Sequence, residues 1–332
     1  MVSLKDIAKE CNVTVATVSK ALNDKNDIGS AMKEYIKETA KRMGYYPNSA
    51  ARALKTKKSY CIGILFVDGT NSGITHDFFS QLLEAFKEFV EKKGYDIAFV
   101  NRYIGEQKMS YLEHCRYRAF DGVLIACVDF TKAPVLELVE SDIPTVTIDH
   151  IYSNRASIMS DNMDGMSSLL LHIGEKGHTK IAYIHGQESA VTDMRLDSFK
   201  KYMKENGIDI PKEYLQQGIY NDGKLAASLT EKLIKLPEPP TCIVYSDDVA
   251  AIAGIAKLHE MGYKIPEDIA VAGYDGVKVS QMIFPRLTTI KQDVETMGKE
   301  AGKKIIELIE GHAEAKEDII YVKSKLLQGE SI

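Results

Sequence analysis

The sequence predicts an α + α/β chain, with a three-helix head followed by a two-lobed, doubly wound α/β body. Three observations predict it. Charge is divided unevenly along the chain, short capped helices account for the first 46 residues, and apolar runs of strand length alternate with helical stretches from residue 60 onward. A chain of 332 residues is also long for a single core, which favours two or three compact units.

Hydrophobic residues make up 45% and charged residues 27%, a balance too apolar for disorder. The net charge of −5 hides an asymmetry. Of the 42 Lys/Arg, 12 fall in residues 1–58, against 6 of the 47 Asp/Glu, so this segment carries +6 and the remainder −11. A cationic head suits a polyanionic partner, because each Lys or Arg at a phosphate releases condensed counterions. The cysteines Cys11, Cys61, Cys115, Cys127 and Cys242 are scattered, with no C-x-x-C pair, which argues against a disulfide framework or a zinc site. No apolar run approaches the roughly 20 residues that span a bilayer, and the N-terminus becomes charged at once. Phosphate-binding glycine loops and Ser-His-Asp or metal constellations do not stand out. The expectation is a cytoplasmic protein, not an enzyme, with no metal or cofactor.

In the head, Ser3 with Asp6 reads as a cap ahead of Leu4, Ile7, Ala8 and Cys11 at helical spacing. Thr14 can cap a second helix, Val15 to Leu22, with Val18, Ala21 and Leu22 inward. Ser30 can cap a third, with Ile36, Ala40 and Met43 inside and Gly44 as its stop. This is the helix-turn-helix plan, whose second helix sets its N-terminal side chains in the major groove. Those side chains are Val15 and Ala16, with Lys20 one turn on. An exposed Val15 at a helix start suits contact with a thymine methyl. Next comes Tyr46-Pro47-Asn48-Ser49-Ala50-Ala51-Arg52-Ala53-Leu54-Lys55. Pro47 halts the preceding structure and Asn48 can cap a short hinge helix, too short to be stable alone. Its alanines leave a small face for close packing, and Leu54 has no local core to enter. An apolar wedge in a minor-groove base step gives such a leucine a use.

The runs Leu4-Lys5-Asp6-Ile7-Ala8, Val13 to Ser19, Tyr46-Pro47-Asn48 and Ala51-Arg52-Ala53-Leu54 resemble the lactose-repressor/galactose-repressor family. The resemblance implies a homodimer whose paired hinge helices kink a pseudo-palindromic double-stranded operator. It implies Val15, Ala16 and Lys20 as specificity residues, and Thr14, Thr17, Ser19 and Asn23 as backbone-positioning groups. Leu54 would intercalate with Lys55 beside it, and Asn48 and Arg52 belong to the same interface. The implied domains are 1–46 for the head, 47–58 for the hinge and 59–332 for the effector domain.

In the body, Cys61 to Val67 is a continuous apolar run, as expected of a parallel strand buried on both faces. A helix from Phe78 to Lys93 and a strand from Tyr95 to Val100 follow. Further strands are read at Gly122–Ala126, Pro144–Ile148, Ile181–Ile184, Cys242–Tyr245 and Ile269–Gly273. The pattern suggests two sheets with a ligand cleft at the strands' C-terminal ends. Asp161-Asn162, Gly177-His178, Pro266 to Ile269, Gly273-Tyr274-Asp275 and Pro285 to Ile290 resemble effector-domain landmarks of the same family. They imply a periplasmic-binding-protein-like fold crossed three times, near 160, 290 and 320. The N-lobe would comprise about 59–159 and 291–319, the C-lobe 160–290 and 320–332.

Polar residues just past strand ends are the cleft candidates: Asp149, Asp247, Asp275 and, early in a helix, Arg195. A guanidinium can grip paired hydroxyls, and carboxylates accept from them. The resemblance places Arg195, Asp247 and Asp275 at ligand-contacting positions and Phe78, Phe79 and Tyr220 at flanking aromatic ones. His76 is a further candidate in the loop after the first strand. Structural readings stay open: Asp247 and Asp248 as caps of the helix from Val249, Asp275 as an ion-pair brace for Arg195, and Phe79 as core. Three departures from the family pattern stand out. Ser198 replaces Gly, Asp247 replaces Asn, and the arginine before the final Ser331 is missing. A second carboxylate near Asp275 disfavours joint ionisation, so a small neutral effector, a sugar or polyol, or a cation, is expected over an anion. A purine or nucleoside effector and a protein corepressor remain alternatives within the family.

Overall fold

The computed structural model describes residues 2–46, 53, 58–67, 73–75, 77–312 and 318–332. The chain forms two compact units, Met1–Ser59 and Tyr60–Ile332. The expected hinge residues Asn48, Arg52, Leu54 and Lys55 lie outside the described residues, as does His76.

The head is three helices, α1 (Leu4–Glu10), α2 (Val15–Leu22) and α3 (Ser30–Arg42). Asp6 Oδ2 accepts from Ser3 N and Ser3 Oγ, each at 2.8 Å, which organises the first turn of α1. Thr14 Oγ1 accepts from Thr17 N at 3.1 Å and starts α2. The start of α3 differs from expectation. Gly29 holds the extended cap conformation, so Ser30 is already the first helical residue and no side chain caps this end. Helices this short do not persist alone in water. Ile7, Val18, Ala21 and Ile36, all fully buried where the three meet, hold them together.

The body has two parallel sheets. The first has the order β13-β7-β6-β5-β1-β2, with β1 (Cys61–Phe66), β2 (Asp96–Phe99), β5 (Gly122–Ala126), β6 (Thr145–Ile148), β7 (Ala156–Ser160) and β13 (Asp318–Val322). A small hairpin, β3 (Tyr103–Ile104) and β4 (Gln107–Lys108), follows β2. Side chains alternate as the pleat requires. Ile62, Ile64 and Leu124 face α4 (Asp77–Glu91) and α11 (Val294–Glu310), whereas Leu65, Val123 and Ile125 face α5 (Tyr111–Arg118) and α6 (Ala133–Val139). Gly298 marks the closest approach of α11 to α4, since a Cβ there would stand 2.5 Å from the Leu82 carbonyl oxygen.

The second sheet has the order β11-β10-β8-β9, with β8 (Ile181–His185), β9 (Leu215–Gln217), β10 (Cys242–Tyr245) and β11 (Ala270–Ala272). Ile184, Ile243, Tyr245 and Val271 pack against α9 (Gly223–Ile234) and α10 (Asp248–Glu260). Ile181, Tyr183, Val244 and Ala272 pack against α7 (Asn162–Glu175) and α8 (Ala190–Glu205). An antiparallel ribbon, β12 (Thr289–Lys291) with β14 (Lys325–Leu327), lies beside this lobe's core.

The chain passes between lobes after β7, after β12 and after β13. The third passage falls just beyond Val322, near the 320 expected, because Asp318–Val322 adds to β7 as a parallel edge strand. Residues 320–322, and Ser160 at the first passage, therefore belong to the first sheet rather than to the C-lobe. At the C-terminus, Ser331 Oγ accepts from Thr288 N at 2.8 Å and donates to Val271 O at 2.6 Å. Arg286 pairs with Glu330 at 3.0 Å. These bonds anchor the end of the chain, which lacks the arginine noted above.

Candidate effector cleft and nucleic-acid interface

Arg195 organises the cleft from one turn inside α8, a helix that begins where Ser189 Oγ accepts from Thr192 N at 3.1 Å. It is only 2% exposed. Its Nε donates to Asn162 Oδ1 at 2.8 Å and its Nη1 to Ser246 O at 2.9 Å. Nη2 stands 3.8 Å from Asp275 Oδ1. The guanidinium lies over the Tyr274 ring, 3.5 Å from its centre, a contact worth about 2 kcal/mol when desolvated. Burial disfavours its charge, but Tyr220, Tyr274 and Asp275 outweigh that and hold it above its ordinary value.

Asp275 follows β11 with φ +104°, a conformation unusual for a residue with a Cβ. Its N donates to Ile290 O at 2.8 Å and its Oδ1 accepts from Gln292 Nε2 at 2.6 Å, so the residues around the second passage fix the loop. Asp149 ends β6 in the first lobe, also with positive φ, and accepts from Ser160 N at 3.2 Å. Burial pushes its carboxyl up to about 6; the Ser160 amide and Arg195 work against this, and Asp275 adds to it. Asp149 is thus electrostatically joined across the cleft to both charges of the second lobe.

A cavity of about 520 Å³ opens between the lobes, with Asp77 and Phe78 on one side and Asn221, Asp275, Lys278 and Met282 on the other. Tyr220 closes in from β9's loop. Its hydroxyl bonds with Thr192 Oγ1 at 2.8 Å, its N donates to Gln187 Oε1 at 2.9 Å, and Arg195 is 6.0 Å from its ring. Of the expected residues, Phe78 and Asp275 line this cavity, while Arg195, Tyr220 and Asp149 are joined to it through Asp275 and Arg195 rather than lining it.

Two expected ligand residues have other duties. Asp247 is the N-cap of α10, accepting from Ala250 N at 2.8 Å, Ser246 Oγ at 2.8 Å and Asn221 N at 3.1 Å. Its oxygens are committed to protein donors and it is fully buried. Phe79 stacks on Phe66 with ring centres 3.8 Å apart, inside the first-lobe core. Asp248, the next residue, feels the charge of Asp275. Sequence reasoning passed over Tyr274, Asn162, Gln292 and Lys278 as site residues, although Tyr274 and Asn162 sit inside the quoted motifs.

In the head, Val15 is 40% exposed and Ala16 and Lys20 are exposed on the same helix. Thr14 and Thr17 share a hydroxyl–hydroxyl bond of 2.9 Å, and Asn23 Nδ2 donates to Ser19 O at 2.6 Å. Lys20 is ion-paired with Asp27 in the loop before α3.

Residues 3–48 match the family described as bacterial regulatory proteins, lacI family, and residues 170–332 the periplasmic binding protein-like domain. The HTH-type transcriptional repressor PurR of Vibrio vulnificus (strain CMCP6) is 30% identical over 315 residues, 93% of this chain and 92% of that relative. The chain belongs to the lacI family of bacterial regulatory proteins. A second relative, "Probable HTH-type transcriptional repressor ExuR" of Bacillus subtilis (strain 168), is 30% identical over 100% of this chain and 98% of its own. Among solved structures, the lac repressor dimer bound to operator and the anti-inducer ONPF has a TM-score of 0.84 at 24% identity, covering 99% of this chain and 98% of that one. The complex of the transcriptional regulator CelR with cellobiose has a TM-score of 0.73 at 20% identity, covering 100% of both chains. These two share the fold. As a lacI-family protein the chain is a DNA-binding repressor of transcription with a helix-turn-helix head and a periplasmic-binding-protein-like body. Among the described residues no helix is long and apolar enough to cross a membrane.

Proposed function

We propose that this lacI-family chain works as a cytoplasmic homodimer on a pseudo-palindromic operator, and that a neutral polyhydroxylated effector, a sugar or polyol, sets its grip from the interlobe cleft. The observation that carries the effector class is the charge balance around Arg195. Its single positive charge is opposed by Asp275 at 3.8 Å and by Asp149 from the other lobe, and Lys278 on the cavity wall is offset by Asp77 across from it, so the site carries no net positive charge for an anion. Carboxylates and a planar guanidinium are the groups that bond vicinal hydroxyls. In this reading Asp149, Arg195 and Asp275 bond the effector, Phe78 and Tyr220 wall it, and Asp247 shapes the loop beneath. The chain performs no catalytic step. The CelR complex with cellobiose shows that a protein of the same fold takes a carbohydrate.

In the head, Val15, Ala16 and Lys20 read base edges, while Thr14, Thr17, Ser19 and Asn23 position the helix on the backbone. Asn48, Arg52, Leu54 and Lys55 carry the minor-groove contact. The effector acts only through its different affinities for the two lobe arrangements.

A thermal-shift panel of monosaccharides, disaccharides, polyols, uronic acids and purines tests this, since a compound that binds the native state raises its melting temperature. The expected hit is an uncharged polyol or sugar that also changes operator affinity. Hits confined to uronic acids would overturn the neutral class. A purine is the second reading, favoured by Phe78 on the cavity wall and by the PurR relatives; hits confined to purines would select it.

A further inference from the structure

Asp248 is fully buried at the first position of α10, yet its carboxyl is not the cap; Asp247 performs that task. Its Oδ2 accepts from Val277 N at 2.8 Å, and Thr289 Oγ1 bonds its Oδ1 at 2.5 Å. Room for the carboxyl exists only because residue 273 is glycine: a Cβ there would stand 2.3 Å from Asp248 Oδ1. Val277 lines the cavity. Thr289 opens β12, which leads to Gln292, the donor to Asp275. We infer that Asp248 is a positioning residue for the effector cavity, its one carboxyl bolting the loop that carries Asp275 and Val277 to the strand that enters the second interlobe passage. This rests on the cleft reading above.

Burial, then the charge of Asp275, pushes the Asp248 carboxyl up to about 8. The charged groups around it are Asp275 on the clamped loop, Asp247 on its own element and, beyond Asp275, Arg195 from α8; Thr289 from β12 and Ser280 from the following turn offer only hydroxyls. At neutral pH Asp248 is therefore a neutral acid. In that form its O–H bonds Thr289 while the other oxygen accepts from Val277. In the ionised form the Thr289 hydroxyl donates instead and a second negative charge faces Asp275. Asparagine reproduces the neutral form, with an amide donor toward Thr289 and an acceptor toward Val277.

The test uses the full-length protein without effector, by amide hydrogen exchange at Val277 and ¹³C-carboxyl NMR of Asp248. At pH 7, Asp248→Asn should keep Val277 protected, whereas Asp248→Ala should exchange at least tenfold faster. With the intrinsic rate removed, exchange in the unsubstituted protein should quicken as pH passes 8, and Asp248→Asn should stay flat. If Asp248→Ala fails to fold, the carboxyl titration and the Asn variant decide. Titration of Asp248 near 4, or Val277 protection indifferent to pH and substitution, would overturn the inference. No effector enters the measurement, so its failure leaves the effector class standing, and a failed effector screen leaves this result standing.

Discussion

The guanidinium of Arg195 rests on the ring of Tyr274, 3.5 Å from its centre, with two of its nitrogens already given to Asn162 and Ser246. The arrangement fixes the side chain before any effector arrives, which lowers the ordering cost of binding. Arg195→Ala is expected to abolish the effector-induced thermal shift and to lower stability by about 3 kcal/mol, since Asp275 loses its cationic neighbour. Arg195→Lys should not restore the response, because an ammonium lacks the planar fork. Urea unfolding and the thermal-shift screen measure both, and operator binding without effector should persist. Unchanged effector affinity in Arg195→Ala would remove this residue from the site.

Thr14 caps α2 through Thr17 N. Thr14→Ala should cost the head about 1 kcal/mol, and Thr14→Ser should recover most of it. Circular dichroism of helix content during heating, together with operator affinity, reports the change; equal behaviour of the two variants would show that the cap contributes nothing.

Asp27 pairs with Lys20 beside the base-reading face of α2. Asp27→Asn removes a negative charge beside α2 and frees Lys20, which serves a base edge on the operator but can turn to a phosphate on random duplex. Affinity for random duplex should rise, the slope of log affinity against log salt should steepen by about one, and the operator-to-random ratio should fall roughly tenfold. Fluorescence anisotropy across a salt series measures all three. An unchanged slope would mean that Lys20 gains no phosphate when freed.

Burial holds the Asp149 carboxyl up to about 6 against its ordinary 3.8. The folded chain then binds this proton more tightly than the unfolded chain, so stability is withdrawn as pH rises from about 4 to about 6. Asp149→Asn should lack that component. Relative to the variant, the unsubstituted protein should lose about 2 kcal/mol over this window, allowing for partial exposure of the group. Urea unfolding at a series of pH values checks it, and parallel curves for the two proteins would contradict it.

At the α4–α11 crossing, a Cβ on Gly298 would meet the Leu82 carbonyl oxygen at 2.5 Å and the Phe86 nitrogen at 2.9 Å. Both are backbone atoms that cannot swing aside. Gly298→Ala should cost about 1–3 kcal/mol, roughly 2–10 °C of melting temperature, in calorimetry.

Strands buried on both faces were plain in the sequence, because runs such as Gly122 to Ala126 carry no polar residue to blur them. Other strands, β7, β9 and β13 among them, were not. β7 contains Ser157 and Ser160, and its burial is tolerable because Ser157 Oγ bonds Thr147 Oγ1 at 2.9 Å on the neighbouring strand. β13 pairs with β7 from far along the chain, and no local pattern announces such a partner. The cleft followed the same division. Arg195 and Asp275 stood in recognisable surroundings, whereas the part played by Tyr274 depends on what the fold lays against it. Asp247 and Asp248 are chemically alike and adjacent. Backbone geometry decides between them: Asp247 is extended, with φ −156° and ψ 169°, and so takes the cap, leaving Asp248 to turn inward.

Each lobe draws on separated stretches of chain, and the first sheet takes its edge strand from Asp318–Val322. During synthesis, β7 must wait with an open edge while the entire second lobe emerges from the ribosome. An unpaired edge of this kind is a template for intermolecular pairing. The interval between translation of β7 and of β13 is therefore when a nascent copy is most exposed to aggregation and most in need of a chaperone.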